Sequence, residues 1–174
     1  MTDERLEPLI HRTPAWLEPG AEASDVVIAS RIRLARNLAD RRFPQQMPAE
    51  EAREIVATVR ERAADHFEQG SVIAPADLGA ADRDFLVERS LASRDLLEAP
   101  RPTLVAFTAD ESLGLMVNEE DHLRLQGIVP GLDLAGSYQR VGPLAQHLSS
   151  VFDLAAHPRY GYLTACPTNV GTGL

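Results

Sequence analysis

The stretch TLVAFTADESLGLMVNEEDHLRLQGIV, residues 103–129, decides the fold class of this chain. Two short apolar segments, Thr103 to Phe107 and Gly114 to Val117, are separated by a polar, turn-like run. A third apolar segment, Leu123 to Val129, follows directly after an acidic run. Short strands that succeed one another through tight turns pair antiparallel. The sequence therefore predicts a three-stranded meander.

Helical patterns lie on both sides of the meander. A long helix is predicted to begin at Pro48, with acidic residues in its first turn, and to stop at Gly70. A second helix is predicted over Ala80 to Arg89, and a third over Leu134 to Phe152, where the Gly142-Pro143 pair should kink or split it. Because the strands cluster between helices rather than alternate with them, we expect an α+β domain with a largely antiparallel sheet flanked by helices.

The remaining segments complete the domain. Asp25 to Ser30 (DVVIAS) predicts a short buried strand, and Tyr160 to Ala165 a final strand. Residues 1–24 are predicted to be a loose N-terminal leader that Trp16 and Leu17 dock onto the core. Residues 25–174 are predicted to form a single domain portion without an internal linker.

Composition restricts the classes of function. The 174 residues carry a net charge of −9, and all 17 basic residues are arginine. Such a chain repels nucleic acid unless a local basic patch overrides the total. No apolar run approaches the roughly 20 residues of a membrane span, and the charged N-terminus does not resemble a secretory signal. A single cysteine excludes a disulfide framework, so we expect a cytoplasmic protein.

Ser30-Arg31-Ile32-Arg33 is the first candidate site. If a strand continues through it, Arg31 and Arg33 point to the same face. Two adjacent guanidinium groups repel each other and favour an anion between them, for which phosphate oxygens are well shaped. A solvated basic strand with surface ion pairs is an equally good interpretation of this segment alone.

Asn118 to Arg124 (NEEDHLR) and Cys166 to Gly173 (CPTNVGTG) are two further candidates. Carboxylates at the end of a core strand can position a cation or accept a proton, although a solvated acidic turn is the usual reading of such a run. His122 is more typical of a hydrogen-bonded structural histidine than of a ligand. A glycine-rich loop after Cys166 can bring backbone N–H groups to an anion, although a lone cysteine is normally a small buried hydrophobe.

Taken together and in this order, the three segments resemble the phosphagen (guanidino) kinase superfamily. Ser30 to Arg33 is similar to its nucleotide-binding SxRxR stretch, and the other two segments are similar to its two signature stretches. The short segment before Ser30, together with Trp16 to Leu38 and Tyr162-Leu163-Thr164, resembles the bacterial protein-arginine kinase branch. The resemblance covers the chain from Trp16 to Leu174.

The resemblance implies a fold, a reaction and site residues. The fold is that of the phosphagen-kinase catalytic domain, which is glutamine-synthetase-like. The reaction is phosphorylation of arginine side chains in proteins with ATP and Mg²⁺, the metal being carried by ATP. Glu120 matches the glutamate that orients the guanidinium and takes its proton, Glu119 a neighbour that reaches Mg²⁺ through water, and Cys166 the reactive cysteine. The implied ATP-binding residues are Ala29, Ser30, Arg31, Ile32, Arg33 and Arg124.

The resemblance also implies partners. These are arginine-containing protein substrates, an activator protein, components of the Clp protease to which phosphoarginine marks proteins, and a second copy in a homodimer of the full-length protein. Neither nucleic acid nor a membrane is implied.

Some positions depart from the family pattern. Ser90 stands where a nucleotide-contacting histidine is usual, and Ala29 where serine is common. The chain stops at Leu174 inside the third motif, whereas the family continues with further arginines and a second catalytic glutamate. We therefore expect a truncated catalytic domain with little activity alone. A non-catalytic nucleotide- or partner-binding paralogue and a kinase of a small free guanidino compound are the alternatives.

Overall fold

The computed structural model describes residues 3–67 and 69–174. Residues 1 and 2 of the predicted leader, and residue 68 within the helix predicted after Pro48, lie outside the described residues. The α-helices are α1 (Glu7–Ile10), α2 (Ala49–Ala63), α3 (Ala80–Glu88), α4 (Arg94–Glu98) and α5 (Leu134–Val151). The strands are β1 (Ala29–Arg36), β2 (Ser71–Ile73), β3 (Leu104–Phe107), β4 (Leu113–Val117), β5 (Leu123–Pro130), β6 (Ala156–His157) and β7 (Gly161–Tyr162).

Strands β1 to β5 form one antiparallel sheet in the order β1-β5-β4-β3-β2. The predicted meander is its centre, since β3, β4 and β5 are consecutive in the chain and adjacent in the sheet. Strand β1 comes from much earlier in the sequence and pairs with β5, with Arg31 opposite Ile128 and Arg33 opposite Gln126. The predicted α+β class with a largely antiparallel sheet is confirmed.

Helices α2 and α5 cover one face of the sheet. The start of the helix predicted from Pro48 is confirmed, with Pro48 at its N-cap and Glu50 and Glu51 near the positive end of its dipole. The α-helix ends at Ala63, before the predicted stop at Gly70, and a 3₁₀ turn continues to Phe67. Its apolar residues recur every three or four positions, so they form one stripe against the sheet. The buried members of that stripe are Ala52, Ile55, Val59 and Ala63.

Helix α5 lies unusually close to strand β5. A Cβ added at Gly127 would lie 2.4 Å from the carbonyl oxygen of Ser137. The Ser137 hydroxyl uses this proximity, because it accepts from the Ile32 N–H (2.8 Å) and donates to the Gly127 carbonyl (2.6 Å). A helix residue thereby bridges the backbones of β1 and β5.

The Gly142-Pro143 pair does not split α5, contrary to that part of the prediction. The helix runs unbroken from Leu134 to Val151 with Pro143 inside it. Pro143 itself is exposed, and buried residues before and after it, Val141 and Leu144, hold both halves against the sheet. Tertiary packing therefore outweighs the single helical hydrogen bond that proline removes.

Helices α1, α3 and α4 cover only part of the opposite face. Their buried side chains pack on residues of β2, β3 and β4, and no member of this cluster comes from β1 or β5. Met116 of this cluster is paired with Arg124 of β5, and paired residues share a face. The same face therefore continues across β5 and β1, beyond the cluster. Beyond the cluster, the 3₁₀ turn Ala15–Leu17 packs on β5, where Gln126 and Ile128 are buried, whereas Arg31 and Arg33 of the edge strand β1 are exposed. None of the helices in the described residues is long and apolar enough to cross a membrane.

The N-terminal segment is packed rather than loose, which corrects the sequence-based expectation. Leu6 and Leu9 are buried in the cluster beneath α3. The Arg89 guanidinium donates to the carbonyl oxygens of Leu9 (2.8 Å) and Arg12 (2.9 Å) and pairs with Glu111. Apolar side chains and one arginine therefore hold this segment in place.

Two predicted strands have different limits. The strand predicted over Asp25 to Ser30 is wrong for most of its length, because Val26 is 82% exposed and the N–H groups of Val26 and Val27 turn back to the Ala23 carbonyl. Strand β1 begins at Ala29 and continues through the arginines. The final strand is only Gly161–Tyr162, since its partner β6 is equally short.

Candidate functional site

Three guanidinium groups lie on the sheet face opposite α2 and α5. Arg31 and Arg33 are two residues apart in β1, so their side chains point to the same face, as predicted for a strand that continues through them. Arg124 of β5 is paired with Ala35 of β1, and Ala35 lies on the same face of β1 as Arg31 and Arg33. Because paired residues of neighbouring strands share a face, the Arg124 side chain lies on that face too. Residues more than 90 positions apart thus meet because β1 and β5 are neighbours. We call these three side chains the arginine cluster.

Two members of the arginine cluster, Arg31 and Arg33, carry positive charge without a carboxylate partner in the described residues. The pKa of Arg33 is lowered, first by partial burial and then by the like charges of Arg31 and Arg124, while Glu119 and Glu120 oppose this effect. Within the described residues, no carboxylate oxygen lies within 4.0 Å of the side-chain nitrogens of Arg31 or Arg33. Such a surface has a strong electrostatic preference for an anion.

Two carboxylates of different exposure border the cluster. Glu119 pairs with Arg124 through one oxygen and accepts from the Ser93 hydroxyl through the other, and only 1% of its side chain is exposed. The Glu120 carboxylate lies 3.2 Å from Arg124, and 41% of its side chain is exposed. Glu119 thus fixes the direction of Arg124 from beneath, while Glu120 faces solvent and is accessible to a ligand.

The acidic turn between β4 and β5 is held by several donors to its backbone. Arg101 donates to the carbonyl oxygens of Asn118 (3.1 Å) and Glu119 (2.8 Å), and Gln45 to that of Glu120 (2.7 Å). Asn118 adopts a left-handed conformation (φ 61°), and its amide donates to two further carbonyls. The turn is a constrained element and not the solvated loop that an acidic run usually forms.

Cys166 lies on a loop held beside this turn. Its Sγ is 2.9 Å from the hydroxyl of Thr168, and its carbonyl accepts from Thr164 (2.8 Å). Asp121, next to Glu120, accepts from the N–H of Ala165, next to Cys166, at 2.7 Å. The expected proton acceptor and the expected reactive cysteine are therefore on adjoining segments.

The other residues expected at the nucleotide site have different surroundings. The Ser30 hydroxyl donates to the Gly131 carbonyl (2.8 Å) and accepts from the Asp133 N–H (2.9 Å), so it fastens the start of β1. The side chain of Ile32 packs against the core on the opposite face, and Ala29 is the first residue of the strand. Only the backbone of these residues remains for a ligand, and their role stays a prediction.

His122 has the structural role that its residue type suggested. It is buried, its Nδ1 accepts from the Leu38 N–H (3.1 Å), and its Nε2 lies 2.9 Å from the Arg42 carbonyl. Burial lowers the pKa of this imidazole.

Sequence reasoning missed several residues that support the site or lie near it. Ser93 is the N-cap of α4, where its hydroxyl accepts from the Leu96 N–H at 3.1 Å, and a serine before a helix is recognisable from sequence. Its hydrogen bond to Glu119 joins residues far apart in the chain and could not be predicted from the local sequence. Arg36 belongs to the same run of arginines as Arg31, yet it points to the other side. It is buried over the ring of Tyr162, 3.7 Å from its centroid, and donates to the carbonyl of Thr172.

Residues 51–174 match the family described as "ATP:guanido phosphotransferase, C-terminal catalytic domain". This chain belongs to that family. The match spans most of the chain and includes both the acidic turn and the Cys166 loop, so the predicted membership of the phosphagen kinase superfamily is confirmed.

Similar ATP:guanido phosphotransferases include curated bacterial protein-arginine kinases. That of Desulforamulus reducens is 40% identical over 164 residues, which are 91% of this chain and 46% of the relative. That of Geobacillus stearothermophilus is 40% identical over 165 residues, or 92% and 45%. The chain thus spans about half the length of the curated relatives it matches.

Solved structures of phosphagen kinases have the same fold. The substrate-free duplicated taurocyamine kinase from Schistosoma mansoni superposes with a TM-score of 0.78 at 23% identity, covering 87% of this chain and 23% of that one. Lombricine kinase gives a TM-score of 0.75 at 21% identity, covering 93% and 50%. The expected phosphagen-kinase catalytic-domain fold is confirmed, and at this identity the likeness concerns the fold alone.

Proposed function

We propose that this ATP:guanido phosphotransferase chain acts in the ATP-dependent phosphorylation of arginine side chains in proteins. The observation that carries the proposal is the convergence of Arg31, Arg33 and Arg124 on one sheet face beside the accessible carboxylate of Glu120. Relatives at 40% identity that are named protein-arginine kinases support the choice of acceptor.

The residues present fit a nucleoside triphosphate. Guanidinium groups match phosphate oxygens in shape and keep their charge at all physiological pH values. Arg31 and Arg33 lack a carboxylate partner within 4.0 Å in the described part of the chain, so anionic oxygens can fill that deficit. The described residues contain no cluster of three or more side chains suited to hold a metal ion. The family resemblance implies that Mg²⁺ comes with the triphosphate, whose charge it would neutralise.

The reaction joins a guanidino nitrogen of the substrate arginine to the γ-phosphorus of ATP. The N–P bond forms while the bond from the γ-phosphorus to the bridging oxygen breaks, and ADP leaves with that electron pair. The proton released by the nitrogen passes to the Glu120 carboxylate. The arginine cluster binds the charge that spreads over the phosphoryl oxygens, an effect worth about 10³ to 10⁵ in rate for one arginine in other phosphoryl transfers.

Glu119 and Cys166 complete the proposed site. Glu119 keeps the Arg124 fork aimed at the sheet face, because both of its oxygens are engaged, one by Arg124 and one by Ser93. Contact with Mg²⁺ through water, which the family resemblance implies for Glu119, stays a prediction. Cys166 lies on the loop that Asp121 ties to the acidic turn, and the family resemblance implies that it is the reactive cysteine beside the acceptor guanidinium.

The test is direct detection of phosphoarginine. The 174-residue chain, and the same chain extended with the remaining half of the Desulforamulus reducens relative, are incubated with Mg-ATP and either an arginine-rich protein or free arginine. We expect acid-labile phosphate on protein arginine, strong with the extended chain and weak with the short one, and its loss in Glu120→Gln.

Each other outcome has a defined meaning. Phosphorylation of free arginine alone identifies a small-guanidino kinase. ATP binding by calorimetry without transfer in either chain identifies a nucleotide-binding module. Robust transfer by the 174-residue chain contradicts the expectation of low activity alone.

The cellular setting is part of the same proposal. The family resemblance supports a cytoplasmic role in protein quality control, in which phosphoarginine marks proteins for the Clp protease and an activator protein and a second copy assist. Co-purification of Clp components with the extended chain, and its loss when substrate arginines are replaced by lysine, tests this role.

A further inference from the structure

One buried carboxylate lies between the two expected reactive groups. Asp121 is fully buried, and its Oδ1 accepts from the Asn37 amide (2.5 Å) and the Ala165 N–H (2.7 Å). Its Oδ2 has no hydrogen-bond partner in the described residues. Nor does any cationic nitrogen there lie within 4.0 Å of it. A buried, unpaired carboxylate is costly, so a stability role alone explains it poorly.

The partners of Asp121 connect three separate segments. Asn37 follows β1, its amide also donates to the Leu163 carbonyl (3.1 Å), and its Oδ1 accepts from the His122 N–H (2.9 Å). The end of β1, the acidic turn and the loop before Cys166 are thereby joined at one point. Because Asp121 follows Glu120 and Ala165 precedes Cys166, each link acts within one residue of a reactive group.

We propose that Asp121 is a positioning residue that fixes the Cys166 loop relative to Glu120. It acts as an acceptor for a backbone N–H, and this role requires neither proton transfer nor metal binding. The effect of this positioning on catalysis rests on the proposed function. The effect on the order of the Cys166 loop can be measured without any activity.

The single cysteine makes the loop directly observable. A nitroxide spin label attached to Cys166 reports loop mobility by electron paramagnetic resonance without removing other thiols. In Asp121→Ala we expect the mobile fraction to rise at least threefold. Asp121→Asn keeps an acceptor oxygen for the Ala165 N–H, so it should retain the immobile spectrum. Val59→Ala, in the core beneath the opposite sheet face, is the control for lost stability and should leave the spectrum unchanged.

A second variant covers the case in which Asp121→Ala fails to fold. Asn37→Ala removes the donor to Asp121 and to the Leu163 carbonyl but leaves the Ala165 bond, so we expect a smaller rise in mobility. An immobile label in both alanine variants, or an equal rise in Val59→Ala, overturns the inference.

The catalytic arm uses the extended chain. Misplacement of a reacting group by about 1 Å costs about 100-fold in rate. Asp121→Ala should therefore lower kcat about 100-fold with the ATP Kd changed less than twofold, and Asp121→Asn should restore most of kcat. A mobile loop with unchanged kcat overturns the positioning role. Absence of transfer in the unmodified extended chain refutes the proposed function while the spin-label result stands by itself.

Discussion

The guanidinium group of Arg124 is paired with the buried carboxylate of Glu119, at the point where the acidic turn enters strand β5. The Glu119 side chain is only 1% exposed, whereas the Arg124 side chain is 15% exposed and lies near Arg33. The same arginine therefore contributes to folding and, in the proposed reaction, to phosphate binding. The two carboxylate partners of Arg124 differ in burial, because Glu120, the second partner, is much more exposed.

Replacement of Arg124 by alanine should destabilise the protein by about 3 kcal/mol, because it leaves the Glu119 charge buried without its cation. Urea unfolding measures this change. The matched variant Glu120→Gln removes the exposed partner of the same arginine and should alter the free energy of unfolding by less than about 1 kcal/mol. Equal losses in the two variants would contradict the unequal burial of the two carboxylates.

Removal of Arg33 should weaken ATP binding without weakening the fold. In Arg33→Gln the repulsion from Arg31 and Arg124 disappears, so we expect the free energy of unfolding to be unchanged or slightly higher. The affinity for Mg-ATP, measured by calorimetry, should fall at least about tenfold, or about 1.4 kcal/mol.

Arg60→Gln provides the control for Arg33, since Arg60 is an exposed arginine on α2, across the sheet from the cluster. It should leave ATP affinity within twofold. Similar losses of affinity in both variants would show that net charge, and not the arginine cluster, governs binding.

His122 should stay neutral in the folded protein at pH values where exposed histidines are protonated. Its Nδ1 accepts from the Leu38 N–H, and burial lowers its pKa below the ordinary 6.5. The unfolded chain then binds the proton first, so the free energy of unfolding contributed by this group is retained above pH 6.5 and lost as the pH falls below that value.

Long-range ¹H–¹⁵N spectra test the state of His122. We expect the neutral Nε2–H form to persist below pH 6.5, and the pH dependence of unfolding in this range to shrink in His122→Asn. A ring that titrates at the ordinary value in the folded protein would refute the assigned hydrogen bonds.

Two serines on α5 should differ in their importance to stability. Ser137→Ala leaves the Ile32 N–H and the Gly127 carbonyl without their bridging hydroxyl, and two such buried groups cost about 2 kcal/mol together. Ser149→Ala removes a hydroxyl on the exposed side of the same helix and should change stability by less than about 0.5 kcal/mol. Urea unfolding measures both changes, and equal losses of stability in the two variants would contradict the bridging role of Ser137.

Local patterns were sufficient for most of the framework. Hydrophobic periodicity depends on residues close in sequence, and it predicts secondary structure directly. It was sufficient for the strands of the meander, for α2 and for α3. The segment from Asp25 to Ser30 misled because β-branched residues favour strands in general, while Val26 and Val27 here form a turn. The predicted break at Pro143 was wrong because packing of the residues on both sides of the proline keeps α5 continuous.

The sequence by itself determined the family, the antiparallel sheet and the alternation that turns Arg31 and Arg33 to one face. These follow from residue types and short spacings. Only the tertiary structure decided that Arg124 joins them, that Arg36 is buried on the other side, and that Asp121 holds the Cys166 loop. Each of these depends on which strands and loops become neighbours, and that choice arises from the packing of the whole chain and not from any single segment.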